Sequence, residues 1–202
     1  MAARIERLVT SGTFSLDGGT WEVDNNVWLV GDDAEVYVID PAHNPEAIAQ
    51  AVGTRTVKAV LLTHGHDDHI RFARQFADLA KAPVLMNPAD QMLWETIFPE
   101  NTPDGPINDG DSFTVGGTTL VALHTPGHSP GSTCFYAQSL GTVFTGDTLF
   151  NGGPGATGRS FSDYPTIIKS ITERLLSLPA ETLVKTGHGD STTIGAEAPG
   201  IS

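Results

Sequence analysis

Apolar and polar positions along the chain fall into two rhythms. Short, mostly apolar runs rich in β-branched and aromatic residues predict strands at 21–30, 35–40, 56–63, 83–86, 112–115, 118–123, 132–137, 142–145 and 182–185. Between them, apolar residues recur at helical spacing. Helices are predicted at 45–52, from about Ile70 through Phe72, Ala73, Phe76, Ala77, Leu79 and Ala80, at 88–98, and from about Pro165 to Leu178. Proline opens three of these helices and Gly53 follows the first. Glycine-rich and Pro/Asn/Asp-rich segments at 99–110 and 151–159 are loops. Strands and helices alternate within each half, with runs of adjacent strands inside. This predicts an α/β four-layer αββα sandwich in one domain, residues 1–202, with similar halves at about 1–110 and 111–202.

Composition narrows the class. With 39% hydrophobic and 17% charged residues, and no low-complexity tract, the chain is an ordered globular protein. Its start lacks an apolar signal core and no window approaches a membrane span, so a cytoplasmic protein with no membrane partner is expected. Cys134, the single cysteine, lies in a predicted strand and reads as core packing rather than as a nucleophile. A formal charge of −13 argues against nucleic acid as a partner. Part of that acidity is explained if carboxylates bind metal.

The candidate chemistry is concentrated where predicted strands end. The run Leu61-Leu62-Thr63-His64-Gly65-His66-Asp67-Asp68-His69 joins a strand to a helix. Thr125-Pro126-Gly127-His128, Phe144-Thr145-Gly146-Asp147 and Thr186-Gly187-His188-Gly189 each pair a strand end with a glycine and one ligand-type residue. Imidazole and carboxylate groups converging from such positions suit a transition metal. His64 and His66 can share one position, with Gly65 easing the turn. Asp68 and His69, in the first turn of the next helix, point to a second. Asp67 reads as a helix-start or solvent carboxylate, and His43 and His124 as loop or core histidines.

The series His64-x-His66-x-Asp68-His69, then His128, Asp147 and His188, resembles the metallo-β-lactamase superfamily. The likeness runs from the Asn25-Asn26 strand and Ile39-Asp40-Pro41 through Thr125–Ser132 to His188. It implies one metal on His64, His66 and His128, a second on Asp68, His69 and His188, a bridge through Asp147, and hydrogen-bonded support from Asp40. Two divalent ions are implied, zinc first, with iron or manganese as alternatives. β-Lactamases of the common two-zinc type carry cysteine where Asp147 stands. The carboxylate, together with Gly158-Arg159-Ser160, is closer to the glyoxalase II group, although the 14 residues after His188 leave no room for a helical glutathione-binding domain.

The stretches "SGTFSLDGGTWEVDNN" and "FNGGPGATGRSFSDYPT" resemble short glyoxalase II-like hydrolases associated with mycothiol-dependent formaldehyde oxidation. The expected activity is therefore hydrolysis of a small-molecule thioester, with S-formyl-mycothiol as a candidate substrate, by a metal-bridging hydroxide oriented by Asp68. Arg159 is a candidate for binding an anionic part of the substrate, or for pairing with Asp163. The competing expectations are a mononuclear iron persulfide dioxygenase, a lactone or phosphodiester hydrolase on the same fold, and a non-catalytic metal-binding module. A homo-oligomer is compatible with all of them.

Overall fold

The computed structural model describes residues 2–202. The first sheet is built from β1 (Arg4–Leu16), β2 (Gly19–Gly31), β3 (Glu35–Ile39), β4 (Thr56–Leu61), β5 (Val84–Met86) and β6 (Gly105–Pro106), paired in that order. Helices α1 (Pro45–Val52), α2 (Asp67–Ile70), α3 (Ala73–Ala80) and α4 (Gln91–Ile97) are interspersed among these strands. The second sheet has β7 (Ser112–Val115), β8 (Thr118–His124), β9 (Thr133–Ala137) and β10 (Thr142–Gly146) on one side. It is completed by β13 (Leu183–Thr186) and β14 (Thr192–Thr193), giving the order β14-β13-β10-β9-β8-β7. A short ribbon, β11 (Leu149–Phe150) and β12 (Gly153–Pro154), precedes α5 (Tyr164–Ser170), and α6 (Ile194–Glu197) lies near the end of the chain.

Alternation along the strands separates three cores. Val27, Leu29, Val36, Val38 and Val60 pack with Ile48, Phe76 and Trp94 beneath the helices of the first half. Their chain neighbours Trp28, Val30, Tyr37, Ile39 and Leu61 pack instead against Leu120, Ala122, Phe135 and Phe144, between the two sheets. Cys134, Val143 and Val184 face Ile167, Ile171 and Leu175 on the far side. A side-chain period of two sends adjacent residues to opposite faces, so two stacked sheets with helices outside give an αββα sandwich.

The helix expected from about Ile70 is interrupted between α2 and α3, the short β6, β14 and α6 have no counterpart in the sequence expectation, and three further departures are larger. β1 occupies a region with no predicted strand. It pairs along its whole length with β2, from Arg4↔Gly31 to Leu16↔Gly19. As an edge strand it is largely half-buried or exposed, which weakens its apolar signal. The helix expected to about Leu178 is α-helical only to Ser170 and continues as a wider π-type turn over Ile171–Leu175. Finally, the start of the glycine-rich loop is the β11–β12 ribbon.

Candidate metal centre

Topology alone places the candidate ligands together. β3 and β4 run parallel, as do β10 and β13, and β8 has the direction of β10 because each is antiparallel to β9. The C-terminal ends of β3, β4, β8, β10 and β13 therefore carry Asp40, the His64–His69 run, His128, Asp147 and His188. Hydrogen bonds join the two sheets at this end. Thr133 N–H donates to Thr63 O (2.8 Å), Asn26 N–H to Gly187 O (2.8 Å) and the Trp28 indole to Thr186 O (3.0 Å).

The structure brings His64, His66 and His128 into one group and Asp68, His69 and His188 into another, each with one donor atom per residue within 4.8 Å of the rest. Asp147 stands between them. Its Oδ2 is 3.5 Å from His128 Nε2, 3.3 Å from His188 Nε2 and 4.0 Å from His64 Nε2, while Oδ1 is 3.4 Å from His69 Nε2. Gly187 is required beside it, since a Cβ there would lie 2.2 Å from Asp147 Oδ1.

The ring nitrogens facing away from this centre are mostly accounted for. His69 Nδ1 meets Asp40 Oδ2 (2.8 Å), His64 Nδ1 meets Thr63 Oγ1 (3.0 Å), His128 Nδ1 meets Ala156 O (2.7 Å) and His188 Nδ1 meets Asp24 O (2.7 Å). Thr63 in turn donates to Asp40 from Oγ1 (2.6 Å) and from its backbone N–H (2.8 Å). Such partners orient imidazoles for coordination and fix their tautomers. Three buried side-chain atoms among the described residues lack a hydrogen bond: His64 Nε2 and Asp147 Oδ1 on the inner side, and His66 Nε2, the ring nitrogen opposite the one that faces His128. Buried polar atoms rarely lack a partner, and an ion is one of the few explanations for an orphan.

Donor separations test the fit. His66 Nδ1 and His128 Nε2 are 3.0 Å apart, His69 Nε2 and Asp68 Oδ2 3.3 Å, and His188 Nε2 and Asp68 Oδ2 3.2 Å. A tetrahedral site with bonds of about 2.0–2.1 Å has edges of about 3.3 Å. This nitrogen and oxygen donor set is one for divalent metal ions.

Electrostatics agree. Burial, helped by the charge of His69, holds His64 well below its ordinary value, and burial with His128 takes His66 down to about 3, so both stay neutral and available. Burial opposes charge on His69 and His188 as well. Carboxylates outweigh it there: Asp68, Asp147 and Asp40 raise His69 well above 6.5, and Asp147 leads in lifting His188 to about 10. Burial would also raise Asp68 and Asp147, but the facing imidazoles hold both well below the ordinary carboxylate range. The group thus collects protons where positive charge is needed, and a cation that replaces them relieves the same demand.

A pocket of about 520 Å³ opens over the centre. Phe14 and Trp21, from the β1–β2 hairpin, and Phe150, from the β11–β12 ribbon, line it together with Arg159. Arg159 does not pair with Asp163, which caps α5 by accepting from Thr166 N–H (3.0 Å). Its guanidinium lies 3.8 Å from the Trp21 ring centroid and 5.4 Å from that of Phe14. The hairpin tip is fastened across the pocket: Asp17 accepts from Ser160 N–H (2.9 Å) and Oγ (2.6 Å).

Several sequence readings need correction. Asp67 begins α2 but is buried, accepting from Ser15 N–H (2.9 Å) and Arg71 Nη2 (2.7 Å) rather than facing solvent. Gly65 has no left-handed conformation to relieve. It must be glycine because a Cβ would lie 2.9 Å from Leu93 Cβ and 3.1 Å from Asp90 Cβ. His43 is within hydrogen-bonding distance of Asn25 Oδ1 (2.7 Å), and Asn25 Nδ2 donates to Asp68 Oδ2 (3.0 Å). The sequence marks Asn25 only as part of the strand where the family likeness begins and gives it no role, although a polar residue in an apolar strand demands partners. Asp90, Phe14, Trp21 and Phe150 carry no local signal of a site. Cys134 is buried as expected, and burial pushes its thiol up to about 11.

The αββα sandwich and the His/Asp centre at its strand ends define a metallo-hydrolase type of protein. The sequence profile of the Metallo-beta-lactamase superfamily matches residues 20–188, and the chain belongs to that superfamily. It is 35% identical over 189 residues to hydroxyacylglutathione hydrolase GloC of Haemophilus influenzae, covering 85% of this chain and 89% of that one. The solved structure of BLEG-1 B3 metallo-beta-lactamase superposes with a TM-score of 0.79 at 30% identity, spanning 94% of this chain and 97% of that one. TTHA1623 in a di-iron-bound form gives 0.75 at 34% identity over 87% and 93% of the two chains. No helix among the described residues is long and apolar enough to cross a membrane.

Proposed function

We propose that the protein is a thioesterase of the glyoxalase II type, acting on a small acylated thiol. The observation that carries this reading is Asp147, whose two oxygens face histidines of both donor groups at 3.3–4.0 Å and which is suited to hold two ions side by side. His64, His66 and His128 would hold the first ion and Asp68, His69 and His188 the second, with Asp147 shared. Zinc is the first candidate, and the di-iron relative makes iron the next. Ions bound there would supply water activation at neutral pH and polarisation of the acyl carbonyl.

The chain's own residues do the rest. Asp68, whose Oδ2 is fixed by Asn25 Nδ2 (3.0 Å) and lies close to His188 Nε2 (3.2 Å), would offer its other carboxylate oxygen to the attacking water and set its direction. Phe14, Trp21 and Phe150 exclude bulk water from the acyl group and strengthen each polar contact within the pocket. Arg159, held over the Trp21 ring, presents guanidinium donors to an anionic or hydroxyl-rich part of the thiol. A thiolate leaves without a strong general acid, in keeping with a pocket that offers no obvious one.

The test combines elemental analysis of the purified protein with hydrolysis of acyl conjugates of glutathione, mycothiol and coenzyme A, beside a chromogenic cephalosporin, a lactone and a phosphodiester. The expected result is two ions per chain and thioesters cleaved fastest. One iron per chain, with oxygen consumed on a thiol persulfide and thioesters untouched, would establish a dioxygenase instead. Preferred cleavage of the cephalosporin, lactone or phosphodiester would overturn the thioester assignment.

A further inference from the structure

Asp90 lies between β5 and α4, outside the ligand series, and is fully buried. Among the described residues, no lysine or arginine forms an ion pair or hydrogen bond with it. Its Oδ2 accepts from Gly65 N–H (2.8 Å) and from Ser129 Oγ (2.6 Å), and its Oδ1 accepts from Gly131 N–H (2.5 Å). Ser129 is locked in turn by Ser132, whose Oγ accepts from Ser129 N–H (3.1 Å) and lies 2.9 Å from Ser129 Oγ. Gly65 separates His64 from His66, and Ser129 directly follows His128. One carboxylate therefore ties together two ligand loops that come from different sheets.

Close packing shows that this contact is built in. A Cβ on Gly131 would lie 2.7 Å from Asp90 Cγ, and one on Gly65 would press on Asp90 and Leu93. Glycine leaves the backbone bare at two of the three contacts with Asp90, and the third is Ser129 Oγ. Among the described residues, the other backbone bond between the two regions is Thr133 N–H to Thr63 O, nearer the strands. His66 Nδ1 and His128 Nε2, carried by these two loops, are 3.0 Å apart.

We infer that Asp90 is a positioning residue for the centre, acting through Gly65, Ser129 and Gly131 to set the separation of His66 and His128. The inference rests on the metal reading above. Only a carboxylate accepts from three converging donors. Asparagine offers a single acceptor oxygen and turns an NH₂ group toward Ser129 and Gly65 or toward Gly131, leaving a buried donor facing a donor.

The experiment is Asp90→Asn in the full chain, with zinc affinity measured by competition against a chromophoric chelator and the visible absorption of the cobalt-loaded protein recorded alongside. The expected result is zinc affinity weaker by about 10- to 100-fold, the range for residues that orient metal ligands, with altered cobalt bands. A folded Asp90→Asn protein with unchanged affinity and spectrum overturns the inference. So does a lower melting temperature with both metal readouts unchanged, because that is the mark of packing alone. Should Asp90→Asn fail to fold, Ser129→Ala decides. It removes one of the three donors, and weaker zinc binding supports the inference while unchanged binding refutes it. A wild-type chain that binds no metal would instead overturn the metal reading itself.

Discussion

At the scale of single residues, the centre consists of side chains whose outward-facing atoms matter as much as their inward ones. Asp40 shows why. It adopts a left-handed backbone (φ 50°), which aspartate tolerates better than most residues, and its two oxygens take Thr63 N–H, Thr63 Oγ1–H and His69 Nδ1. Replacing Asp40 with Asn preserves shape and backbone preference while removing an acceptor. We expect zinc affinity to fall by about 10- to 100-fold in chelator competition. An affinity equal to wild type would show that His69 needs no such support. Asp147→Ala is a harsher change, since it removes the one group facing both donor sets. A loss of turnover of about 100- to 1,000-fold is expected, the range when one group that stabilises transition-state charge is deleted. Steady-state rates at full metal loading provide the check, and near-normal turnover would remove Asp147 from the mechanism.

At the scale of elements, the β1–β2 hairpin is the part of the pocket most open to manipulation. Its tip, Asp17-Gly18, turns with left-handed conformations at both residues, a combination that suits Asp-Gly. From this turn Asp17 reaches Ser160, while Phe14 and Trp21 from the two strands stack at 5.7 Å and support Arg159. The hairpin and the glycine-rich loop therefore close the pocket jointly. Asp17→Ala should release the tip. Its expected signature is a severalfold rise in KM with kcat little changed, together with faster amide exchange over 13–21, and Asp17→Asn should fall between because it retains one acceptor. Equal KM and exchange in wild type and Asp17→Ala would mean that the contact does not shape the pocket.

For the whole molecule, the charge at the centre links stability to pH and to metal. Take the protein after chelation. His66 has a folded value of about 3 against an ordinary 6.5, so as pH falls below 6.5 the unfolded chain gains a proton that the folded chain refuses, and stability drops. The lowered Asp68 and Asp147 add to that loss at still lower pH. His188, raised to about 10, acts in the other direction. Its contribution is complete below 6.5 and is lost as pH rises towards 10. Metal-free protein should accordingly melt highest near pH 6.5 and lower on either side. Loaded with zinc, His69 and His188 no longer hold these protons, so the alkaline decline should disappear and the melting point should rise with free metal. Thermal melts across pH with and without chelator provide the measurement. A chelated protein that is flat from about pH 6.5 to 9 would contradict the assigned protonation of His188.

Taken alone, the sequence determined the alternating strand faces, the positions of most helices though not their ends, and the ligand-type residues, because each is written in local periodicity or in residue chemistry at a strand end. His64, His66, Asp68, His69, His128, Asp147 and His188 could be picked out in this way. The sequence could not show β1, whose edge position leaves it half-wetted. It also could not show what stands behind or across from the ligands. Asp90 meets Gly131 across 41 positions of chain and Asp17 meets Ser160 across 143, and nothing within a dozen residues of either marks the partner. Arg159 shows the same limit. Its sequence neighbour Asp163 was an equally reasonable partner, yet the fold gives Asp163 to the α5 cap and lays Arg159 on Trp21. Which donors gather is therefore local chemistry, whereas how they are spaced and sheltered depends on contacts that exist only once the two sheets have packed, since only packing brings residues so far apart in the chain within hydrogen-bonding reach.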